Sequence, residues 1–154
     1  MPQVSDVPLD GLYGDRILDH YRNPRNRQAV DNPQLEASEF NPFCGDRVDL
    51  HLKLGNDGRI NQTNAGAEGC SIIQASASML SDVINGKSLE EVEQLAADFR
   101  SMMLGKDISQ EALARLETLD ALQVVRRYPV RIKCALLPWV ALEQGLEAYR
   151  KRRA

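Results

Sequence analysis

Between Asp46 and Leu54 apolar and polar residues alternate, Val48, Leu50, Leu52 and Leu54 against Asp49, His51 and Lys53. That period of two predicts a strand with one buried face. Beyond Gly69-Cys70-Ser71 the period lengthens, and Ile72, Ala75, Ala77, Met79, Leu80 and Val83 recur at helical spacing up to a helix stop at Gly86. Asn56-Asp57-Gly58 is a hairpin turn, so Arg59 to Glu68 is the returning strand, although its apolar alternation is weak. Leu35 to Phe40 pairs as a third strand. Consecutive, closely linked strands favour antiparallel pairing. The chain is therefore predicted to be α+β, a small antiparallel sheet of about three strands with helices packed on it.

The rest of the chain reads as helices. Leu12 to Arg22 places Leu12, Ile17, Leu18 and Tyr21 near one face and ends at Asn23-Pro24, because the residue before a proline is pushed out of the α region. The polar stretch Asn26 to Pro33 reads as a loop. Ser88 and Glu91 form a capping-box pattern for a helix through Val92, Leu95, Phe99 and Met103, closed by Gly105. A short helix is expected over Gln110 to Leu119 and a last one over Arg131 to Arg150. Pro138 either follows a helix that has just begun, leaving Cys134 on its entry turn, or kinks that helix. Met79, Met102 and Met103 fit core spacing. At 154 residues the length suits a single domain, with a short flexible amino-terminal segment (about residues 1–10) and a basic tail (about residues 150–154).

A net charge of −3 and a pI near 5.4 give no general attraction to nucleic acid. Arg150-Lys151-Arg152-Arg153, the one basic cluster, reads as a solvated tail that complements the negative end of the last helix. No stretch approaches the roughly 18 to 20 apolar residues that cross a bilayer, and the amino terminus lacks the basic and apolar regions of a signal peptide. A soluble cytoplasmic protein is expected, in a compartment where thiols stay reduced.

Cys44, Cys70 and Cys134 are the only cysteines. An odd number argues against a disulfide framework and leaves metal binding or thiol chemistry. Together with Asp46 they offer a metal three thiolates and a carboxylate, a donor set that suits tetrahedral zinc. If Cys44 and Asp46 both lie on the strand, residues two apart project to the same side, and Gly45 lets the backbone bend around an ion. Cys70 sits at a helix amino terminus, where the dipole favours thiolate. Free cysteines also fill cores, and spacing alone leaves both readings open. His51, on the polar phase of its strand, and His20, beside the first proline break, read as surface or partly packed residues, and no motif orients a base beside a cysteine nucleophile.

Asn41-Pro42-Phe43-Cys44-Gly45-Asp46, the run Gly66 to Ile72 leading into Ala75-Ser76-Ala77-Ser78-Met79, and Arg131-Ile132-Lys133-Cys134-Ala135 with Trp139 resemble the three cysteine blocks of the SufU group within the IscU/NifU-like iron-sulfur cluster assembly family. His20-Tyr21-Arg22-Asn23-Pro24-Arg25-Asn26 resembles the family's amino-terminal segment. The resemblance implies zinc held by Cys44, Asp46, Cys70 and Cys134. It also implies a role for Cys44 in accepting sulfane sulfur from a cysteine desulfurase, for delivery to a cluster-assembly complex. A histidine of the desulfurase would replace one zinc ligand and release Cys44. Arg131 matches a basic residue beside the metal, although an ordinary helix-entry arginine is equally compatible with its position. The IscU branch has a histidine where this chain has Lys133, and Gly86 to Asp107 looks like the insertion of SufU proteins. Both departures favour zinc-dependent sulfur transfer. Two alternatives use the same cysteines: a scaffold binding iron or a transient iron-sulfur cluster, and a structural zinc module that only binds partners.

Overall fold

The computed structural model describes residues 8–9, 11–41 and 45–153. Cys44 and most of the predicted amino-terminal segment lie outside the described residues. Three strands, β1 (Leu35–Asn41), β2 (Asp46–Leu54) and β3 (Ile60–Glu68), pair antiparallel in chain order with β2 in the middle. Asn41 stands opposite Asp46, and Val48 opposite both Glu39 and Ala67. The apolar phase of β2 is buried as its alternation requires: Val48, Leu50 and Leu52 are all within the core. Beyond Ile60, the inward positions of β3 are Thr63, Ala65 and Ala67. These small side chains explain why the period of that strand is faint in sequence.

The helices are α1 (Gly11–Arg22), α2 (Ser71–Ile84), α3 (Leu89–Met103), α4 (Gln110–Leu116) and α5 (Pro129–Arg153). Helix α2 is enclosed by α1, β3, α5 and the segment before α5. Twelve of its residues are buried, so it is a central helix rather than a surface one with a solvated face. The capping box of α3 is formed in both directions between Ser88 and Glu91. Phe99 of α3 stacks on Trp139 of α5, with ring centroids 4.9 Å apart, so the predicted insertion is tied into the core.

Two expectations are corrected and two are made more specific. The short helix stops at Leu116 instead of Leu119, because Glu117 adopts φ +53°; the chain then runs as 3₁₀ turns over Glu117–Arg127. The basic cluster is exposed and forms the last turn of α5, where Arg150 pairs with Glu93 and Arg152 donates to the Gln34 carbonyl. Helix α5 begins at Pro129, and of the two placements open to Pro138 the one within the helix is observed, with Cys134 on the second turn. Finally, His20 is buried, and its Nδ1 lies 2.8 Å from Ser78 Oγ, which also accepts the Arg25 backbone N–H.

Candidate metal centre

Asp46 opens β2 and is almost fully buried. The residue before it, Gly45, is a turn residue with φ +73° whose N–H donates to the Asn41 carbonyl. The strand therefore begins at Asp46, and the two-residue alternation invoked for Cys44 and Asp46 does not extend back through Gly45. On the facing strand end, Gly69 takes φ +134°. A Cβ on Gly69 would stand 2.0 Å from Asp46 Oδ1 and 2.9 Å from its Cγ. Only glycine lets the carboxylate occupy this position.

Cys70 follows as the N-cap of α2, and its backbone N–H lies 3.4 Å from Asp46 Oδ1. Cys134 arrives from α5, fully buried, with Sγ 3.1 Å from Asp46 Oδ2. The ligand atoms of Asp46, Cys70 and Cys134 all lie within 4.8 Å of one another. A tetrahedral zinc with bonds of about 2.3 Å to sulfur and 2.0 Å to oxygen sets its ligand atoms roughly 3.5 to 3.8 Å apart. The three donors lie within about 1 Å of that spacing, and their chemistry, two sulfurs and a carboxylate oxygen, suits zinc.

The two thiols are in opposite states. A hydrogen bond from the Cys134 thiol is the main cause that draws the Cys70 pKa down to about 6; the backbone N–H groups of Ile73 and Ile72 at the start of α2 add to it, against burial and Asp46. Cys134 is pushed far up, first by that same bond to Cys70, then by burial and by its bond to Asp46. Near neutral pH the metal-free site thus holds a Cys70 thiolate and a Cys134 thiol sharing its proton among acceptors. A metal ion would displace that proton, as thiolate ligation requires. Cys134 lies beyond the first turn of its helix, where the dipole has faded, so helix position does not lower its pKa as it does for Cys70.

Two details of the packing lie behind the ligands. Pro138 has no N–H, so the Cys134 carbonyl four residues earlier lacks its helical donor. The buried Ser76 of α2 donates to the next carbonyl, that of Ala135, at 2.6 Å. Arg131, one turn before Cys134, places Nη1 3.8 Å from Cys134 Sγ, while Lys133 is exposed. His20 and His51 take no part; His51 lies 3.9 Å from Glu36 on the sheet. Of the predicted ligands the structure brings together Asp46, Cys70 and Cys134. Gly69 and Ser76 were not recognised from sequence. A glycine directly before an N-cap cysteine is the one trace that Gly69 leaves there.

Residues 12–154 match the model of the NifU-like N terminal domain. The zinc-dependent sulfurtransferase SufU of Bacillus subtilis (strain 168) is 44% identical over 138 residues, covering 90% of this chain and 91% of that protein. The iron-sulfur cluster assembly scaffold protein IscU of Streptococcus pyogenes serotype M1 is 35% identical, covering 90% and 85%. Among solved structures, FiSufU from Fervidobacterium islandicum AW-1 superposes with a TM-score of 0.78 at 27% identity, covering 92% of this chain and 99% of that one. With the family model spanning nearly all of the sequence and a cysteine and carboxylate cluster at the head of its central strand, the chain belongs to the NifU-like N-terminal domain family.

Proposed function

We propose that this protein is a zinc-dependent sulfur carrier of iron-sulfur cluster assembly. It takes sulfane sulfur from a cysteine desulfurase onto Cys44 and passes it to the cluster-building machinery. The observation that carries this reading is the convergence of Asp46, Cys70 and Cys134 within 4.8 Å at the end of the sheet. The likeness to a zinc-dependent sulfurtransferase supports it. Asp46, Cys70 and Cys134 hold the ion, and Cys44, tethered to Asp46 by one glycine, supplies the fourth donor. Bound zinc keeps the thiolates deprotonated at neutral pH and shields them from oxidation.

The Cys44 thiolate, once free of the site, attacks the outer sulfur of the donor's persulfide. A new S–S bond forms on Cys44 while the donor's S–S bond breaks, and the electron pair leaves on the donor's cysteine as thiolate. No external oxidant or reductant is consumed. Asp46, Cys70 and Cys134 remain as the fixed part of the site, anchored by the buried start of β2 and by the contact of α2 with α5. Arg131, beside Cys134, offsets the negative charge that the thiolates bring to the site.

In a turnover assay with a cognate cysteine desulfurase and L-cysteine, the wild type is expected to stimulate the enzyme and Cys44→Ala to fail. Equal stimulation by the variant would refute the role of Cys44. A scaffold for an iron-sulfur cluster is the second reading, favoured by the same sulfur donors and by the likeness to IscU proteins. Stable cluster formation on anaerobic reconstitution, transfer of that cluster to an apo-ferredoxin and absence of zinc in the protein as isolated would support it over sulfur transfer.

A further inference from the structure

A groove of about 800 Å³ runs from the end of α3 to the start of α5, with Tyr13, Leu104, Arg126, Arg127, Tyr128 and Ile132 along it. Among the described residues its lining contains no acidic side chain. Arg126 and Arg127 are exposed, and neither makes an ion pair or hydrogen bond among the described residues. The wider segment has the same bias. From Ala121 to Leu142 the sequence carries no Asp or Glu, yet it holds Arg126, Arg127, Arg131 and Lys133 in a chain whose net charge is −3.

Apolar surface accompanies this charge. Leu104 is 52% exposed at one end of the groove, and Val130 is 62% exposed beside the other. The Val130 carbonyl lies 3.8 Å from Cys134 Sγ, so the groove and the metal centre share the first turns of α5. Apolar positions rimmed by unpaired arginines are the composition of a protein-docking surface, in which aromatic residues and arginine are enriched. Unpaired cations of one sign also steer an oppositely charged partner over about a Debye length, roughly 8 Å at physiological salt.

We propose that this groove docks an acidic, apolar segment of the sulfur-donating enzyme and thereby orients that enzyme at the metal centre. The inference rests on the proposed function for the partner's identity, while the surface itself follows from charge and exposure.

The test is direct binding of a fluorescently labelled cognate cysteine desulfurase without L-cysteine, followed by sulfur transfer with it. The double variant R126E/R127E is expected to bind about tenfold more weakly at low salt and to lose most of the salt dependence of the wild type. R126Q/R127Q should fall between. Thermal unfolding and zinc content should match the wild type, and the maximal transfer rate should be retained while the half-saturating concentration rises. Unchanged affinity in R126E/R127E overturns the proposal. So does a loss of self-association in place of desulfurase binding, which would assign the groove to a second copy of this chain. The two readings fail separately: binding that weakens as expected, with no sulfur ever reaching Cys44, removes the sulfur-carrier reading alone, and sulfur transfer with unchanged affinity removes the docking groove alone.

Discussion

Replacing Gly69 with alanine should disable the metal centre without removing any ligand. The new Cβ would stand 2.0 Å from Asp46 Oδ1, 2.9 Å from its Cγ and 3.2 Å from its Cα. The carboxylate oxygen would have to withdraw by about 1 Å to reach even the closest tolerated contact, and the backbone of Asp46 at the head of β2 leaves little room to yield. The φ of +134° adds a conformational cost of about 1–3 kcal/mol for a residue with a side chain. Moving Oδ1 also breaks its contact with the Cys70 N–H at 3.4 Å, and a buried acceptor left without its partner costs about 1–3 kcal/mol. The metal-free variant should therefore be destabilised by roughly 2–6 kcal/mol if the two costs add. Its affinity for zinc, set by chelator competition, should fall about tenfold to hundredfold or more, the range seen when groups that orient metal ligands are disturbed. Gly66→Ala is the control: it lies on β3, and its added Cβ would meet nothing closer than 3.9 Å. If Gly69→Ala binds zinc as tightly as Gly66→Ala and the wild type, the assignment of Asp46 to the metal centre is wrong.

Ser76→Ala removes the hydroxyl that joins α2 to α5 at the Ala135 carbonyl. It should cost about 1 kcal/mol of stability by denaturant titration and weaken zinc binding, whereas Ser81→Ala, whose hydroxyl bonds back within α2 and to Asn26, should lower stability and leave zinc affinity unchanged. Burial, reinforced by the nearby Arg25 charge, holds the His20 pKa below its ordinary 6.5, against the weaker pull of Asp82 and Asp19. As pH falls through 6.5 the unfolded chain therefore takes up a proton that the native protein refuses, and native stability drops until the lower native pKa is reached. Unfolding measured between pH 7.5 and pH 5, values chosen about one unit or more either side of the free imidazole's pKa, should show this extra loss in the wild type and not in His20→Gln. Parallel curves would exclude His20 as its source.

The sheet was legible because β2 obeys its period strictly, and the Asn56-Asp57-Gly58 turn left a single way to return. β3 was weaker because alanine and threonine, rather than larger apolar residues, face α2. The 3₁₀ run after Leu116 was hidden, since its start depends on a positive φ at Glu117 that no local pattern announces. Cys70 was placed at its helix start by the change of period alone. The turn that carries Cys134 stayed open because Pro138 allows either a helix that has just begun or a proline within one, and only the fold places that proline inside α5 with Cys134 on its second turn. Gly69 escaped for a related reason: its necessity comes from a carboxylate that is distant in sequence and adjacent only in the fold.

The central claim is that Cys44 receives sulfur while Asp46, Cys70 and Cys134 keep the ion. Its most direct test is peptide mass spectrometry of the zinc-loaded protein after a brief reaction with a cognate cysteine desulfurase and L-cysteine, trapped by alkylation. One added sulfur atom on the peptide carrying Cys44, and none on those carrying Cys70 or Cys134, is the result expected. Sulfur on Cys70 or Cys134 in its place, or on no cysteine at all, would contradict it.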